Sequence, residues 1–454
     1  MTHSESSRPP AETTGGGRFP FHVFTANLIG TILWLHNIQH ILLPLPPLRD
    51  AAIGLLPVYI ALAAPLTFRP AAAAVAAACL AFTALLLASG SPPEALGEGL
   101  GSALVFMGFL PAVGLIRAVF AYSSGLTQLE RMLETQTPDL RANSLMILSH
   151  IAGSVMTVGV FALIGRVTGG IDAPREREQA ATACMRGLGL AVLWTPFTIG
   201  MGFASSRFPQ VPLWQAMACG MVLSLAGLAF SLRQGGPKAM GESFRAVRPA
   251  MMPVLIAALA LVLANALTGY GTVHIITAAT PLLVFGFVLS RDARAVPALG
   301  RSLFSENGRM GSEMLIFASS MVMGAALNAN PAFMALLAQT GLQGASGFVI
   351  TGAAVLMAIG FAIAGLHVTV SAAIVLAAVA GLDGAPGPLT LIMLILFIWS
   401  SGTMLSQSSL ALITCARIFT TPSMRLTYGR NLVFALGLGG LLAIAAGSSA
   451  VLYG

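Results

Sequence analysis

The chain has 454 residues, of which 56% are hydrophobic and only 9% charged, with a formal net charge of +7. That balance excludes a water-soluble domain of this length and places the chain in a bilayer. The excess of Lys and Arg does not point to nucleic acid, because most of it gathers in a few connecting stretches where it governs topology instead.

Residues 1–20 are polar, rich in Gly and Pro, and lack the apolar core of a signal peptide, so they read as a disordered cytoplasmic tail. Apolar spans follow near 24–44, 51–67, 70–90, 100–121, 187–206, 211–232, 249–268, 270–290, 313–338 and 431–452. About 20 such residues cross roughly 30 Å of hydrocarbon. Three further apolar stretches, near 142–165, 346–381 and 388–416, are less regular. On the first span, His36 and His40 share a helical face at a spacing that metal sites use; no third ligand is evident, and interhelical hydrogen bonding is the favoured role. Cys79, Cys184, Cys219 and Cys415 are scattered without paired ligand spacing, which argues against a disulfide framework.

With the tail cytoplasmic, four crossings return the chain to Arg117, Arg131 and Arg141, as the positive-inside rule requires. A full crossing by 142–165 would strand Arg166, Arg175, Arg177 and Arg186 outside, so this stretch is expected to be a re-entrant hairpin from the cytoplasmic side. Spans 187–206 and 211–232 then lead out and back to the basic loop Arg233–Arg248. In the second half, 346–381 is too long for one crossing, is interrupted at Gly365-Leu366-His367 and is followed by Asp383, which fits a hairpin dipping in from outside. Stretch 388–416 returns inward to Arg417, Arg425 and Arg430. The expected fold class is therefore an all-α polytopic membrane protein. It has two inverted-topology repeats, 21–235 and 249–454, with re-entrant helical hairpins and broken transmembrane helices.

Two patterns recur in the same order in the two halves. His-x-x-x-Ser occurs at His150/Ser154 and His367/Ser371, and Trp-[Thr/Ser]-x-x-Thr at Trp194–Thr198 and Trp399–Thr403. Such internal duplication is a signature of secondary transporters. In Trp194-Thr195-Pro196-Phe197-Thr198 the proline removes a backbone donor and clashes with the preceding turn, so a helix break is expected there. Trp399-Ser400-Ser401-Gly402-Thr403 puts a glycine and hydroxyls in the corresponding place. Freed carbonyls and hydroxyl oxygens suit a hard cation such as Na⁺, and exposed helix N-termini favour an anionic group. His150 and His367 are expected at the hairpin breaks, able to bond a carboxylate, carry a proton or cap a tip. A further break is expected at Asn328-Ala329-Asn330-Pro331, while Arg117, Arg186 and Glu313 read as helix-end residues that snorkel to the interface.

The apolar spans carry no central Asp or Glu, which disfavours a carboxylate proton relay and tilts the coupling ion toward Na⁺. No Gly-x-x-x-x-Gly-Lys loop and no His-Glu-x-x-His helix is present, so neither ATP-driven transport nor zinc proteolysis gains support, and no other cofactor is expected.

Opposed hairpins, each followed by an unwound crossing rich in Ser, Thr and Gly, resemble the ion transporter superfamily of secondary carriers. That superfamily includes divalent-anion/sodium symporters, citrate carriers and the large membrane subunit of TRAP transporters. The likeness is carried by Gly365–Ser371, Trp194–Gly200 and Trp399–Ser408. It implies substrate and sodium binding by Ser149, His150, Ser154, Thr195, Thr198, His367, Thr369, Ser371, Ser400, Ser401, Thr403 and Ser406, and a homodimer with a moving transport unit. The Ser-Asn-Thr tip signature of divalent-anion/sodium symporters is missing, which leaves the dicarboxylate open. The expected function is a non-enzymatic, Na⁺-coupled, elevator-like carrier of a small organic carboxylate or sulfonate in a bacterial inner membrane. Its rivals are a proton-coupled exporter of the same fold and a membrane-embedded metal-dependent enzyme.

Overall fold

Prolines set many of the helix starts. A proline lacks the backbone N–H that the first helical position leaves unused, and its φ is already helical. The computed structural model describes residues 20–121, 136–167, 171, 173–232, 241, 255–291 and 293–453, and in them every regular element is a helix. Helix α1 (Phe21–Leu42) stops before Pro44, α2 (Pro46–Ala63) and α3 (Pro70–Ala88) both start on proline, and α4 spans Glu94–Ala121. Then come α5 (Pro138–Met156), α6 (Val160–Val167), α7 (Pro174–Val192), α8 (Ile199–Arg207), α9 (Leu213–Ser231) and α10 (Leu255–Thr268). The remaining helices are α11 (Thr272–Arg291), α12 (Val296–Asn307), α13 (Gly311–Asn328), α14 (Pro331–Ala338), α15 (Gly347–Ile363) and α16 (Val368–Ala380). After them run α17 (Pro388–Leu405), α18 (Leu410–Ile418), α19 (Ser423–Tyr428) and α20 (Arg430–Tyr453).

Among the described residues seven helical segments are long and apolar enough to cross a membrane by length and composition, or eight when the pair α12 and α13, bent by 46°, counts as one; one of the seven, Pro138–Gly165, is interrupted at Thr157–Gly159. The chain is an all-helical, multi-pass membrane protein. Most of the tail 1–20, the basic loop around Arg131 and all of the junction 233–254 except Gly241 lie outside the described residues.

The helices gather in two groups that cut across the chain's halves. In the first, α1, α2 and α4 pack with α11, α12 and α13, and α13 also lies along α3. In the second, α5 packs on α7, α7 to α9 pack with α17 to α20, and α15 and α16 join through α17 and α20. The groups meet where α13 packs on α16, α8 on α11 and α4 on α5.

The order of contacts fixes helix directions in the second group. Gln179 donates to Asp139 at 2.7 Å, Ser149 to the Cys184 carbonyl at 2.8 Å and Thr195 to the Ser154 carbonyl at 2.8 Å, so α7 runs parallel to α5. The chain between them must therefore return along the 19 residues of α5, roughly 28 Å at the α-helical rise. It turns at Thr157–Gly159, where Thr157 takes φ +49°, a conformation that β-branched residues rarely adopt.

Helices α15 and α16 form a second folded-back pair. At its base the Gly344 N–H bonds the Asp383 carbonyl at 3.1 Å, while Gln343 accepts from the Asp383 N–H at 2.7 Å. At its tip Gly365 has φ +80°, which only glycine adopts without strain, and the Leu366 N–H closes the helix end on the Phe361 carbonyl at 3.0 Å. Ile350 touches Gly384, just ahead of α17, and Val355 meets Phe397 over Gly439, so α17 runs parallel to α15.

Segments 138–207 and 347–418 thus share one plan: a helix, a turn back, then a broken helix parallel to the first. The two broken helices run antiparallel to each other. Cys415 lies on the Ala181 carbonyl at 3.6 Å, Met404 packs on Gly189, and Trp399 on Gly200.

Two expected positions are corrected. The turn of the first pair lies at Thr157–Gly159, so His150 is inside α5 rather than at a break; nothing in Ser149–Ser154 interrupts the helical ladder. In the second half α17 continues unbroken through Trp399–Thr403 to Leu405, and the interruption falls at Ser406–Ser409. One glycine, Gly402, is not enough to end a helix that is packed on several sides. The expected breaks at Trp194–Thr198 and at Ala329–Asn330 are present.

Candidate functional site

The first half builds a closed polar clamp. The His150 ring is buried in α5, with Nδ1 3.2 Å from the Gly187 carbonyl, and the Trp194 indole donates to Nε2 at 3.1 Å. A carbonyl can only accept, so Nδ1 carries the proton and Nε2 accepts: one neutral tautomer satisfies both partners. Ser149 bonds the Cys184 carbonyl, Ser154 bonds the Ile151 carbonyl at 2.7 Å, and Thr195 reaches the Ser154 carbonyl. Together these bonds seat the break after α7 against α5. Thr198 then caps α8, accepting from the Met201 N–H at 3.4 Å.

In the second half, His367, Thr369 and Ser371 come together at the start of α16. His367 is its N-cap, Nδ1 accepting from the Thr369 N–H at 3.4 Å and lying 2.8 Å from Thr369 Oγ1. Ser320 of α13 stands 3.2 Å from the same hydroxyl. With Nδ1 accepting, the Thr369 hydroxyl donates to the ring and accepts from Ser320, and the neutral ring keeps its proton on Nε2, which has no hydrogen-bond partner among the described residues. Ser371 bonds back to the His367 carbonyl at 3.3 Å.

Ser400, Ser401 and Thr403 lie on the continuous helix α17. Ser401 bonds back to the Ile398 carbonyl at 3.2 Å, as hydroxyls in membrane helices commonly do. Ser400 is different: its hydroxyl is fully buried and has no hydrogen-bond partner among the described residues. Ser406 opens the break and lies 2.9 Å from Ser408.

These pieces converge through α17. Its Trp399 packs on Gly200 at the start of α8, with the Phe203 ring 5.0 Å away, and Gly402 makes room for Val368 beside His367. Helix α17 therefore touches both the first break and the tip of the second folded-back pair.

Sequence reasoning named neither Ser409 nor Ser320, and it placed Gln407 in the candidate segment without giving it a role. Ser409 caps α18 by accepting from the Leu412 N–H at 3.4 Å and donates to the Thr403 carbonyl at 3.0 Å. Gln407 anchors the break to α19 through Thr427 and Ser423, both at 2.7 Å. The signal was present: Thr195-Pro-Phe-Thr198 and Ser406-Gln-Ser-Ser409 both place hydroxyls three apart. Each is followed by a nine-residue helix with an arginine in its last turn.

Comparison with protein-family models and with curated protein sequences finds no match to this chain.

Proposed function

We propose that the chain is a secondary active transporter that moves a small organic carboxylate or sulfonate across the inner membrane of a bacterium, with its N-terminus cytoplasmic, coupled to Na⁺. The observation that carries this reading is the pair of hydroxyl-flanked breaks, Thr195–Thr198 and Ser406–Ser409, on antiparallel helices that meet at Trp399. Non-helical backbone at membrane depth persists where it faces protein or lines a cavity, and opposed broken helices are a recurring carrier device. The shared plan and opposite run of 138–207 and 347–418 support an inverted repeat whose folded-back pairs are re-entrant. Freed carbonyls at the breaks, with the hydroxyls there other than that of Thr195, are the hard oxygen donors that Na⁺ takes, and the His367 Nε2–H, unpartnered among the described residues, is suited to an anionic oxygen. The group carrying both breaks moves as a unit against the group built on α4 and α13, and the carrier works as a homodimer.

The test uses thermal unfolding of the detergent-purified protein with a panel of carboxylates and sulfonates, each with Na⁺ or with an inert cation. A ligand that binds only the native state raises apparent stability by mass action. A shift requiring both anion and Na⁺ is expected. Anion shifts indifferent to Na⁺ would replace sodium coupling with proton coupling, and no shift with any anion would overturn the substrate class. Ser400→Ala sharpens the test. Removing a buried hydroxyl that has no partner leaves stability unchanged or higher, whereas the anion-dependent shift is expected to fall at least several-fold.

A further inference from the structure

One end of the second helix group opens into a cavity of about 1200 Å³, lined by the first turns of α5 and α7, the end of α9 and the corner between α19 and α20. None of Ser149–Ser154, Trp194–Thr198, His367–Ser371 or Trp399–Ser409 lines it. Its charges are unbalanced, because Arg175, Arg186, Arg425 and Arg430 face only Asp139 and Glu178 among the described residues. Both carboxylates are already engaged: Glu178 pairs with Arg425 at 3.4 Å and Asp139 accepts from Gln179.

Arg186 is the centre of this end. Its guanidinium donates to Asn431 Oδ1 at 3.1 Å, to Ser231 Oγ at 3.4 Å and to the Arg430 carbonyl at 2.8 Å, and lies 4.8 Å from the centroid of the Phe434 ring. Every partner is neutral. Among the described residues the guanidinia of Arg430 and Arg175 stand exposed at the same cavity without a carboxylate, and the Nδ2 of the adjoining Asn431 is buried without an acceptor. A half-buried guanidinium with only neutral partners and a second one beside it lack a counter-ion. Planar guanidinium forks match phosphate oxygens in geometry as well as charge.

The rest of the wall says what carries the phosphate. Phe230 and Val433 line the same cavity and are 57% and 66% exposed. A free phosphate would leave these apolar side chains uncovered, whereas acyl chains would cover them. We propose that this cavity binds an anionic phospholipid, its phosphate held by Arg186 and Arg430 and its chains lying along Phe230 and Val433. Basic pockets between helices recognise lipid headgroups in this way. The assignment rests on the membrane character of the chain and is independent of what the protein carries.

The 454-residue chain and its double variant Arg175→Gln/Arg430→Gln are compared in detergent micelles containing phosphatidylglycerol, phosphatidylcholine of the same chains, or inorganic phosphate. Both substituted side chains are exposed, so the variant is expected to fold. Phosphatidylglycerol should raise the melting temperature of the wild type by several degrees and phosphatidylcholine should not, and the shift should fall to less than half in the variant. Native mass spectrometry should count fewer retained phosphatidylglycerol molecules on the variant. Equal shifts from the two lipids, or undiminished retention by the variant, would overturn the proposal. A shift produced by inorganic phosphate alone would assign the cavity to a soluble anion instead.

Discussion

Trp194 shows how one side chain can look like a ligand-binding residue and act as a fastener. Its indole has a single donor, and that donor ends on His150 Nε2 in a setting closed to water. Trp194→Phe keeps most of the packing but leaves a buried acceptor unmet, which costs about 1–3 kcal/mol. Thermal unfolding in detergent should register the loss, and transport per folded molecule should change little. Thr195→Ala is expected to behave likewise, since its hydroxyl serves the Ser154 carbonyl and accepts from the Phe197 N–H. Of these three, Ser400 alone is expected to give the opposite result, intact stability with lost activity, and measuring both quantities on all three variants separates fastener from ligand site.

At the scale of elements, α5 and α7 approach so closely that side chains are excluded. A Cβ on Gly187 would stand 2.1 Å from the Met146 carbonyl oxygen, while one on Gly360 of α15 would meet nothing within 4 Å. Gly187→Ala must push two backbones apart and is expected to cost 1–3 kcal/mol or more, on the order of other overpacked sites. Gly360→Ala should be neutral or stabilising by up to about 1 kcal/mol. Yield of monodisperse protein on size exclusion, together with melting temperature, checks the pair. The same scale explains what could be read from the chain beforehand. Proline announced the break at Thr195–Thr198 and the one before Pro331, because its missing donor acts locally whatever surrounds it. The break at Ser406–Ser409 has no proline, and its backbone is held by Gln407, Thr427 and Ser423, a network that exists only once α19 has folded against α17. Similarly, the His-x-x-x-Ser pattern repeats in sequence but not in place: His150 spans two helices and His367 caps one. The equal spacing of hydroxyls at 195/198 and 406/409 was the better guide to equivalent positions.

For the molecule as a whole, the contact between Ser320 and Thr369 joins the two helix groups, since α13 belongs to one and α16 to the other. If the groups slide during transport, this contact must open. The double variant Ser320→Cys/Thr369→Cys, in a background with Cys79→Ala, is therefore expected to lose transport on oxidation and recover it on reduction. Oxidation without effect on flux, with the bond verified by mass spectrometry, would show that the groups do not separate there.

The hydrogen bond from Tyr59 to the Asn307 carbonyl, 2.6 Å long in a buried setting, spans 248 residues of sequence. Helix α13, which fills the space between α3 and α4, belongs to the same distant stretch. Translation proceeds at about 5–20 residues per second, so roughly 10 to 50 seconds separate the emergence of Tyr59 from that of its partner. Through that interval the first four helices wait with a tyrosine hydroxyl and a helix-sized gap unfilled. Biogenesis of this protein is thus expected to depend on whatever shelters that half-assembled intermediate, and chains halted near residue 290 should be degraded quickly although most of their spans are already made.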